Sequence, residues 1–224
     1  MTHPMSNEGS PALVARLSAL FPAVVSDMLD DLGYRQQVMA PRVRPLYGSA
    51  RVVGSAATVR ALPVEEVPEL REDQYRLHLE AIEALVPGQI MVTSRIEVCF
   101  WGELMSIAAR NQGCTGVVID GYTRDVSGIE ALDFPVFCTG VSAADALGRS
   151  HVVEYGGPIE SGGVKVAQGD LVIGDNDGVV VVPGEVAEDA ITKAEEKVNG
   201  ENLVRTKLEE GMSVSEVFLT YGIL

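Results

Sequence analysis

Glu103 and the pair Arg124-Asp125 are the residues whose types and spacing point most directly to chemistry. Gly116-Val117-Val118-Ile119-Asp120-Gly121 reads as an apolar strand, and Tyr122-Thr123-Arg124-Asp125 follows it. A cation and an anion are thus delivered just past a strand end, where open α/β sheets build their sites. An aspartate there can hold a divalent metal, and an arginine can clamp a carboxylate. Trp101-Gly102-Glu103 opens a helix running to about Gln112. Its first turn offers free N–H groups on Gly102, Glu103, Leu104 and Met105, a ready anion site. If the strands before Gly102 and Arg124 run parallel, both ends converge on one small ligand.

The chemistry follows from those parts. A 2-oxo acid chelates Mg²⁺ through its carboxylate and keto oxygens. Asp125 would anchor the ion, while Arg124 and the helix N–H groups hold the carboxylate. Ion and arginine together would stabilise an enolate formed by C–C cleavage. Mg²⁺ keeps several waters, so Glu103 can act through one of them. No lysine sits in this stretch, which weighs against a Schiff-base route. Plainer explanations compete. An Arg-Asp pair after a strand also serves as a surface ion pair, and the helix dipole alone favours Glu103 in a first turn. Asp120 before Gly121 reads as an Asx-type turn former.

Around these residues the chain alternates in type. Helical periodicity covers 11–20 and 22–32, with Gly33 closing the second stretch. Residues 34–47 read as loop, and 51–61 as a strand whose Gly54 marks a bulge or close approach. The acidic segment 62–73 leads to an amphipathic helix at 74–85. Strands come next at 89–94, 115–120 and 134–139, with helices between them, which suggests parallel βαβ units. Residues 140–151 read as loop with some helix. Short β runs at 164–166, 170–174 and 178–182 suggest antiparallel or mixed structure. A charged helix from Pro183 to about Glu210 precedes a short tail. The result is one α/β domain over 11–224 with mixed sheets and flanking helices, behind a disordered segment at 1–10.

Composition narrows the function. A net charge of -15, with no Lys/Arg cluster, argues against a nucleic-acid surface. Cys99, Cys114 and Cys138 are odd in number and fit no CxxC spacing, so they read as buried thiols in a reducing compartment. No apolar run reaches membrane-span length and no leader-like segment is evident, so a cytoplasmic protein is expected. His3, His78 and His151 are scattered. His78 reads as a surface or half-buried helix residue, and His151 as a candidate pocket liner. Asp175-Asn176-Asp177-Gly178 reads as a hairpin turn rather than a calcium loop. Ser26, Ser94 and Ser106 lack a GxSxG context.

Glu103, twenty intervening residues and Arg124-Asp125 resemble the acidic-X20-Arg-Asp signature of class II pyruvate aldolases of the 4-hydroxy-4-methyl-2-oxoglutarate type. These share a family with the RraA regulators of ribonuclease E. The likeness extends through VVSDMLDDLG (24–33), VVGSAATV (52–59), GELMSIAARNQGCTGVVIDGYTRD (102–125), FPVF (134–137), GGVKVAQGDLVIGDNDGVVVVP (162–183) and ENLVRTKLEEG (201–211). It implies a swivelling β/β/α-type fold, a homotrimer or dimer of trimers with sites between subunits, and Mg²⁺, Mn²⁺ or Co²⁺. By carry-over Asp125 binds the metal and Arg124 the pyruvate moiety. Glu103 holds metal-bound waters, and amides near Leu104 and Met105 hold the carboxylate. A carboxylate from the neighbouring subunit's C-terminal helix matches Glu201 best, then Glu196. The implied reaction releases pyruvate from a 4-hydroxy-2-oxo acid, with oxaloacetate decarboxylation as a side activity. The alternative is a non-catalytic regulator that binds ribonuclease E or another protein. The resemblance separates the two by the metal-ligand aspartate, present here as Asp125. Glu103 stands where the aldolases carry aspartate, and segments 62–78 and 140–155 depart from the family pattern.

Overall fold

The computed structural model describes residues 10–48, 50–64 and 70–222. Two short helices, α1 (Pro11–Leu17) and α2 (Pro22–Asp31), each begin with proline, whose fixed φ suits a first turn. Then come β1 (Arg44–Pro45), β2 (Val52–Pro63), α3 (Arg71–Glu83), β3 (Gln89–Trp101), α4 (Glu103–Asn111), β4 (Gly116–Thr123) and α5 (Val126–Ala131). The second half holds β5 (Val136–Cys138), β6 (Gly140–Val141), β7 (Ser150–Tyr155), β8 (Ile159–Ser161), β9 (Val164–Val166), β10 (Leu171–Asp175) and β11 (Gly178–Val182). Two helices, α6 (Ala187–Glu209) and α7 (Val214–Tyr221), close the chain.

Nine strands form one mixed sheet in the order β1-β5-β4-β3-β2-β10-β11, with β6 added beside β4 and β7 beside β2. The centre, β2 to β5, is parallel, and the β10–β11 hairpin joins β2 antiparallel. β8 and β9 form a separate two-stranded hairpin. The expected α/β architecture with mixed sheets and flanking helices is what the chain adopts. The central strands are buried on both faces, so their side chains sort by parity. Met91, Val117 and Ile119 pack with α3, α4 and α5 around Ile82, Ala109 and Ile129. Ile90, Val92 and Val118 pack with the hairpin residues Ile159, Val164 and Val166. A third cluster seats α1, α2 and α6 on Ile173, Val180 and Val182. Among the described residues no single helix is long and apolar enough to cross a membrane. The α1–α2 pair passes only jointly and is bent by 111°.

Several elements differ from the sequence-based expectation. β3 runs to Trp101 rather than Ser94, because register slips hide its alternation. Residues 150–155 form β7 on β2, so the expected loop over 140–151 gives way to strand at its end. The tail after Gly211 folds into α7, whose Ser213 and Glu216 form a reciprocal capping box. The expected disordered segment 1–10, His3 included, lies outside the described residues except for Ser10, which precedes α1.

The largest correction concerns Asp120. It forms no turn; β4 continues to Thr123, and Asp120 is 3% exposed. By parity its side chain shares the face of Val118 and meets Arg42 through Nε–Oδ1 at 3.1 Å and Nη2–Oδ2 at 2.8 Å. The Gly162 N–H also donates to Oδ2, at 2.9 Å. A buried carboxylate needs such partners to remain charged. Gly121 likewise serves packing, since a Cβ there would lie 2.3 Å from the Ile96 carbonyl oxygen. Removing the guanidinium leaves Asp120 buried with only the Gly162 amide. Arg42→Ala should therefore cost about 2–3 kcal/mol, below the full cost of breaking a buried pair because Arg42 is partly exposed. Urea unfolding measures this, and a loss under about 1 kcal/mol would show that the pair holds little.

Candidate functional site

The site is assembled where β3 and β4 end side by side. The strands pair in parallel from Ile90↔Gly116 to Thr93↔Ile119, after which the register slips. Ile96 meets Gly121, Cys99 meets Tyr122, and Trp101 meets Thr123. The slip brings both chain ends level. The Arg124 N–H and the Thr123 hydroxyl both donate to the Trp101 carbonyl, each at 3.1 Å. Gly102 then lies against Asp125, and a Cβ on Gly102 would sit 2.5 Å from Asp125 Oδ2. Asp125 adopts a left-handed conformation (φ 58°), which aspartate tolerates better than most residues, and α5 starts immediately after it.

Oδ2 of Asp125 accepts the Glu103 N–H at 3.2 Å. The first intrahelical bond of α4 runs from Ser106 N–H to the Gly102 carbonyl. The N–H groups of Leu104 and Met105 come before it and point out of the helix start. Arg124 is about 40% exposed and faces Asp125 and Asp145 at 4.0 Å each, too long for hydrogen bonds. Among the described residues its guanidinium donates no hydrogen bond to protein, so the fork is available to an anion.

These groups open on a cavity of about 450 Å³. Gly102, Leu104, Met105, Arg124 and Asp125 all line it, so five of the residues expected at the site share one space. Glu103 does not line it. Its carboxylate lies over α5, where a Cβ on Gly128 would come within 2.6 Å of Oε2. Glu201 sits on α6 opposite Lys197 at 3.9 Å, and Glu196 is exposed on the same helix; neither lines the cavity of its own chain. His151 lies in β7 and is not a lining residue.

Other walls carry no obvious sequence signal. Asp145 lines the mouth and accepts from the Tyr75 hydroxyl at 3.1 Å. Burial pushes the Asp145 carboxyl up, but the Leu147 amide, the Tyr75 hydroxyl and Arg124 outweigh it and hold it below its ordinary value. His78 is not a surface residue. It is buried, stacks on Phe100 at 4.3 Å, and lines the cavity. Its Nε2 has no hydrogen-bond partner among the described residues, and burial lowers its pKa to about 4. The spacing Tyr75, His78, Ile82 marks one helix face and was the available signal. All three cysteines are free and buried, as expected. Burial raises the Cys99 thiol at the cavity wall, which disfavours a thiolate nucleophile.

The donor set suits a hard, largely hydrated cation. Asp125, Asp145 and Glu72 line the cavity with carboxylate oxygens, and no lysine does. Among the described residues no three His, Cys, Asp or Glu side chains converge as a metal cage. Mg²⁺ needs none, since it binds through one or two carboxylates and keeps its waters.

The profile of the RraA-like family (Aldolase/RraA) matches residues 22–181. The chain belongs to that family. A Halalkalibacterium halodurans relative named "Putative 4-hydroxy-4-methyl-2-oxoglutarate aldolase" is 32% identical over 176 residues, 77% of each chain. Protein DlpA of Legionella pneumophila is 24% identical over 215 residues, 95% of this chain. This chain spans only about a third of the length of DlpA, with 34% of it covered. Among solved structures, Streptomyces coelicolor RraAS2, described as an unusual member of the RNase ES inhibitor RraA protein family, superposes with a TM-score of 0.80. It is 26% identical and covers 89% of this chain and 100% of its own. In this chain Arg124 and Asp125 follow the end of the parallel β3–β4 pair.

The neutral His78 makes this wall sensitive to acid. The unfolded imidazole takes its proton near pH 6.5, the folded one only near pH 4. Stability is therefore fully present above pH 6.5 and falls as pH drops toward 4, by about 3 kcal/mol across that window. His78→Phe keeps the stack on Phe100 and should flatten this part of the pH–stability curve. Parallel losses in the two proteins between pH 6.5 and 4, measured by urea unfolding, would remove His78 as the cause.

Proposed function

We propose that this RraA-like chain is a divalent-cation-dependent lyase that releases pyruvate from 4-hydroxy-4-methyl-2-oxoglutarate or a related 4-hydroxy-2-oxo acid, with oxaloacetate decarboxylation as a side activity. One observation carries the reading: the uncommitted Arg124 fork, the Asp125 carboxylate and the free amides of Leu104 and Met105 meet in one cavity. The Halalkalibacterium halodurans relative supports it.

Each group has a role that follows from its place. Arg124 binds the substrate carboxylate through its two-pronged fork. The amides of Leu104 and Met105 add donors to the same carboxylate at the positive end of α4. Asp125 would hold Mg²⁺, Mn²⁺ or Co²⁺; the family resemblance, rather than their place in this chain, adds Glu103 acting through water and Glu201 of a neighbouring subunit in a trimer or dimer of trimers. The cation supplies Lewis-acid polarisation of the 2-oxo group. Gly102 lets α4 begin close enough for Asp125 to be fixed by the Glu103 amide. Phe100 and Trp101 limit water on the inner side. A cytoplasmic setting fits the buried free thiols. A second reading, a non-catalytic regulator that binds ribonuclease E or another protein, is supported by the likeness to RraAS2.

The test is pyruvate release from oxaloacetate and from 4-hydroxy-4-methyl-2-oxoglutarate, monitored with lactate dehydrogenase and NADH. Turnover with Mg²⁺, Mn²⁺ or Co²⁺ is expected, and Asp125→Ala should reduce it to background. Gly102→Ala crowds Oδ2 of Asp125 and should lower kcat/KM by about a hundredfold in a folded protein. Unchanged rates in Asp125→Ala would refute the metal assignment. No pyruvate with any of these cations would leave the regulator reading, to be tested by inhibition of ribonuclease E.

A further inference from the structure

The cavity lining is chemically mixed. Arg124, Asp125 and the amides at the start of α4 are its polar groups. His78 and Leu79 of α3, Phe100 of β3 and the Met105 side chain of α4 give it apolar surface. Arg124 is the sole cation among the described lining residues. Every other charged liner, Glu72, Asp125 and Asp145, is acidic. His78 brings no compensating charge, because burial keeps its imidazole neutral near pH 7. Leu79 and Leu104 remain 46% and 71% exposed at this cavity, so apolar surface extends to its mouth.

Once Arg124 is engaged by the 2-oxo acid's own carboxylate, a second carboxylate on C4 would find no further cation among the described lining residues of this chain, only apolar side chains and carboxylates. Burying an unpaired carboxylate is costly, whereas a hydrocarbon group gains from the same wall. Part of the cavity lining comes from the segments that depart from the aldolase sequence pattern: Glu72, Tyr75 and His78 lie in 62–78, and Asp145 and Ala146 lie in 140–155.

We infer that the substrate is a 4-hydroxy-2-oxo acid whose C4 carries an uncharged aryl or bulky alkyl group in place of a second carboxylate. The inference rests on the lyase reading and specifies its substrate class. In the cleavage the C4 hydroxyl loses its proton to solvent or a basic group, and its oxygen forms the new carbonyl. The C3–C4 bond breaks, and its electron pair passes to the pyruvate enolate. C3 then takes up one proton. The products are pyruvate and an apolar aldehyde or ketone, with no oxidant or reductant consumed.

The full chain, with Mn²⁺, is assayed on 4-hydroxy-2-oxo-4-phenylbutanoate, 4-hydroxy-4-methyl-2-oxoglutarate and oxaloacetate. The phenyl compound should exceed the glutarate in kcat/KM by about tenfold or more. Leu79→Arg adds a cation at an exposed position and should invert that order. A wild-type preference for the glutarate overturns the inference and leaves the lyase reading standing. No pyruvate from any of the three overturns the lyase reading, and a binding measurement then decides the inference. Trp101, the only tryptophan, lines the cavity and reports occupancy by fluorescence. Quenching should saturate at about tenfold lower 2-oxo-4-phenylbutanoate than 2-oxoglutarate; equal or reversed affinities overturn the inference.

Discussion

The parallel pairing of β3 with β4, and the way it slips, is the constraint on which the rest of the site depends. From Thr93↔Ile119 to Trp101↔Thr123, β3 uses eight steps where β4 uses four. The surplus residues are accommodated as bulges, which bend a strand and re-aim the chain beyond them. Without the slip β3 would run past β4, and α4 would begin several residues away from Arg124. With it, one carbonyl, that of Trp101, accepts from both Thr123 and Arg124 and fixes the two ends against each other. Two glycines make the approach feasible: Gly121, under the Ile96 carbonyl, and Gly102, under the Asp125 carboxylate. Both positions exclude a methyl group by contact with named atoms rather than by backbone conformation.

Charge is handled differently on the two faces of the sheet. Asp120 and Arg124 are four residues apart on one strand and its extension, yet one is buried and saturated while the other is open. Asp120 spends its two oxygens on Arg42 and Gly162, which ties the 34–43 segment and the β8–β9 hairpin to the back of the sheet. Arg124 has carboxylates near it but none within bonding distance. In a chain of net charge -15 an anion approaches against the overall field. An unsaturated guanidinium beside a helix N-terminus is the local source of attraction that such a ligand needs.

Much of this was legible in the sequence. The run Gly116 to Asp125, the helix opening at Gly102 and the Glu103–Arg124 spacing located five of the cavity's residues, because they depend on local signals: an apolar run, a helix start and a charged pair. The features that were missed depend on pairing partners that a sequence does not display. Asp120 looked like a turn former because Gly121 comes after it; parity with the buried Val118 would have placed it inside. His78 looked half-exposed because its helix is polar on average, yet Tyr75, His78 and Ile82 share one face. β3 looked short because its bulges break the two-residue period after Thr93. α7 was the avoidable miss, since Ser213 and Glu216 stand at capping-box spacing.

Asp120 and His78 are two buried ionisable side chains with opposite solutions to burial, and the difference assigns them different work. Asp120 accepts from three N–H donors, so it acts as a fixed tie between segments far apart in sequence. His78 has no partner for Nε2 among the described residues and is neutral, so it behaves as an aromatic plate stacked on Phe100. A charged imidazole in its place would turn the inner wall into a second anion subsite and compete with Arg124 for a carboxylate. Keeping it neutral leaves Arg124 as the sole cation among the described lining residues. The polarity of the cavity is therefore set as much by its apolar lining as by the charged pair itself.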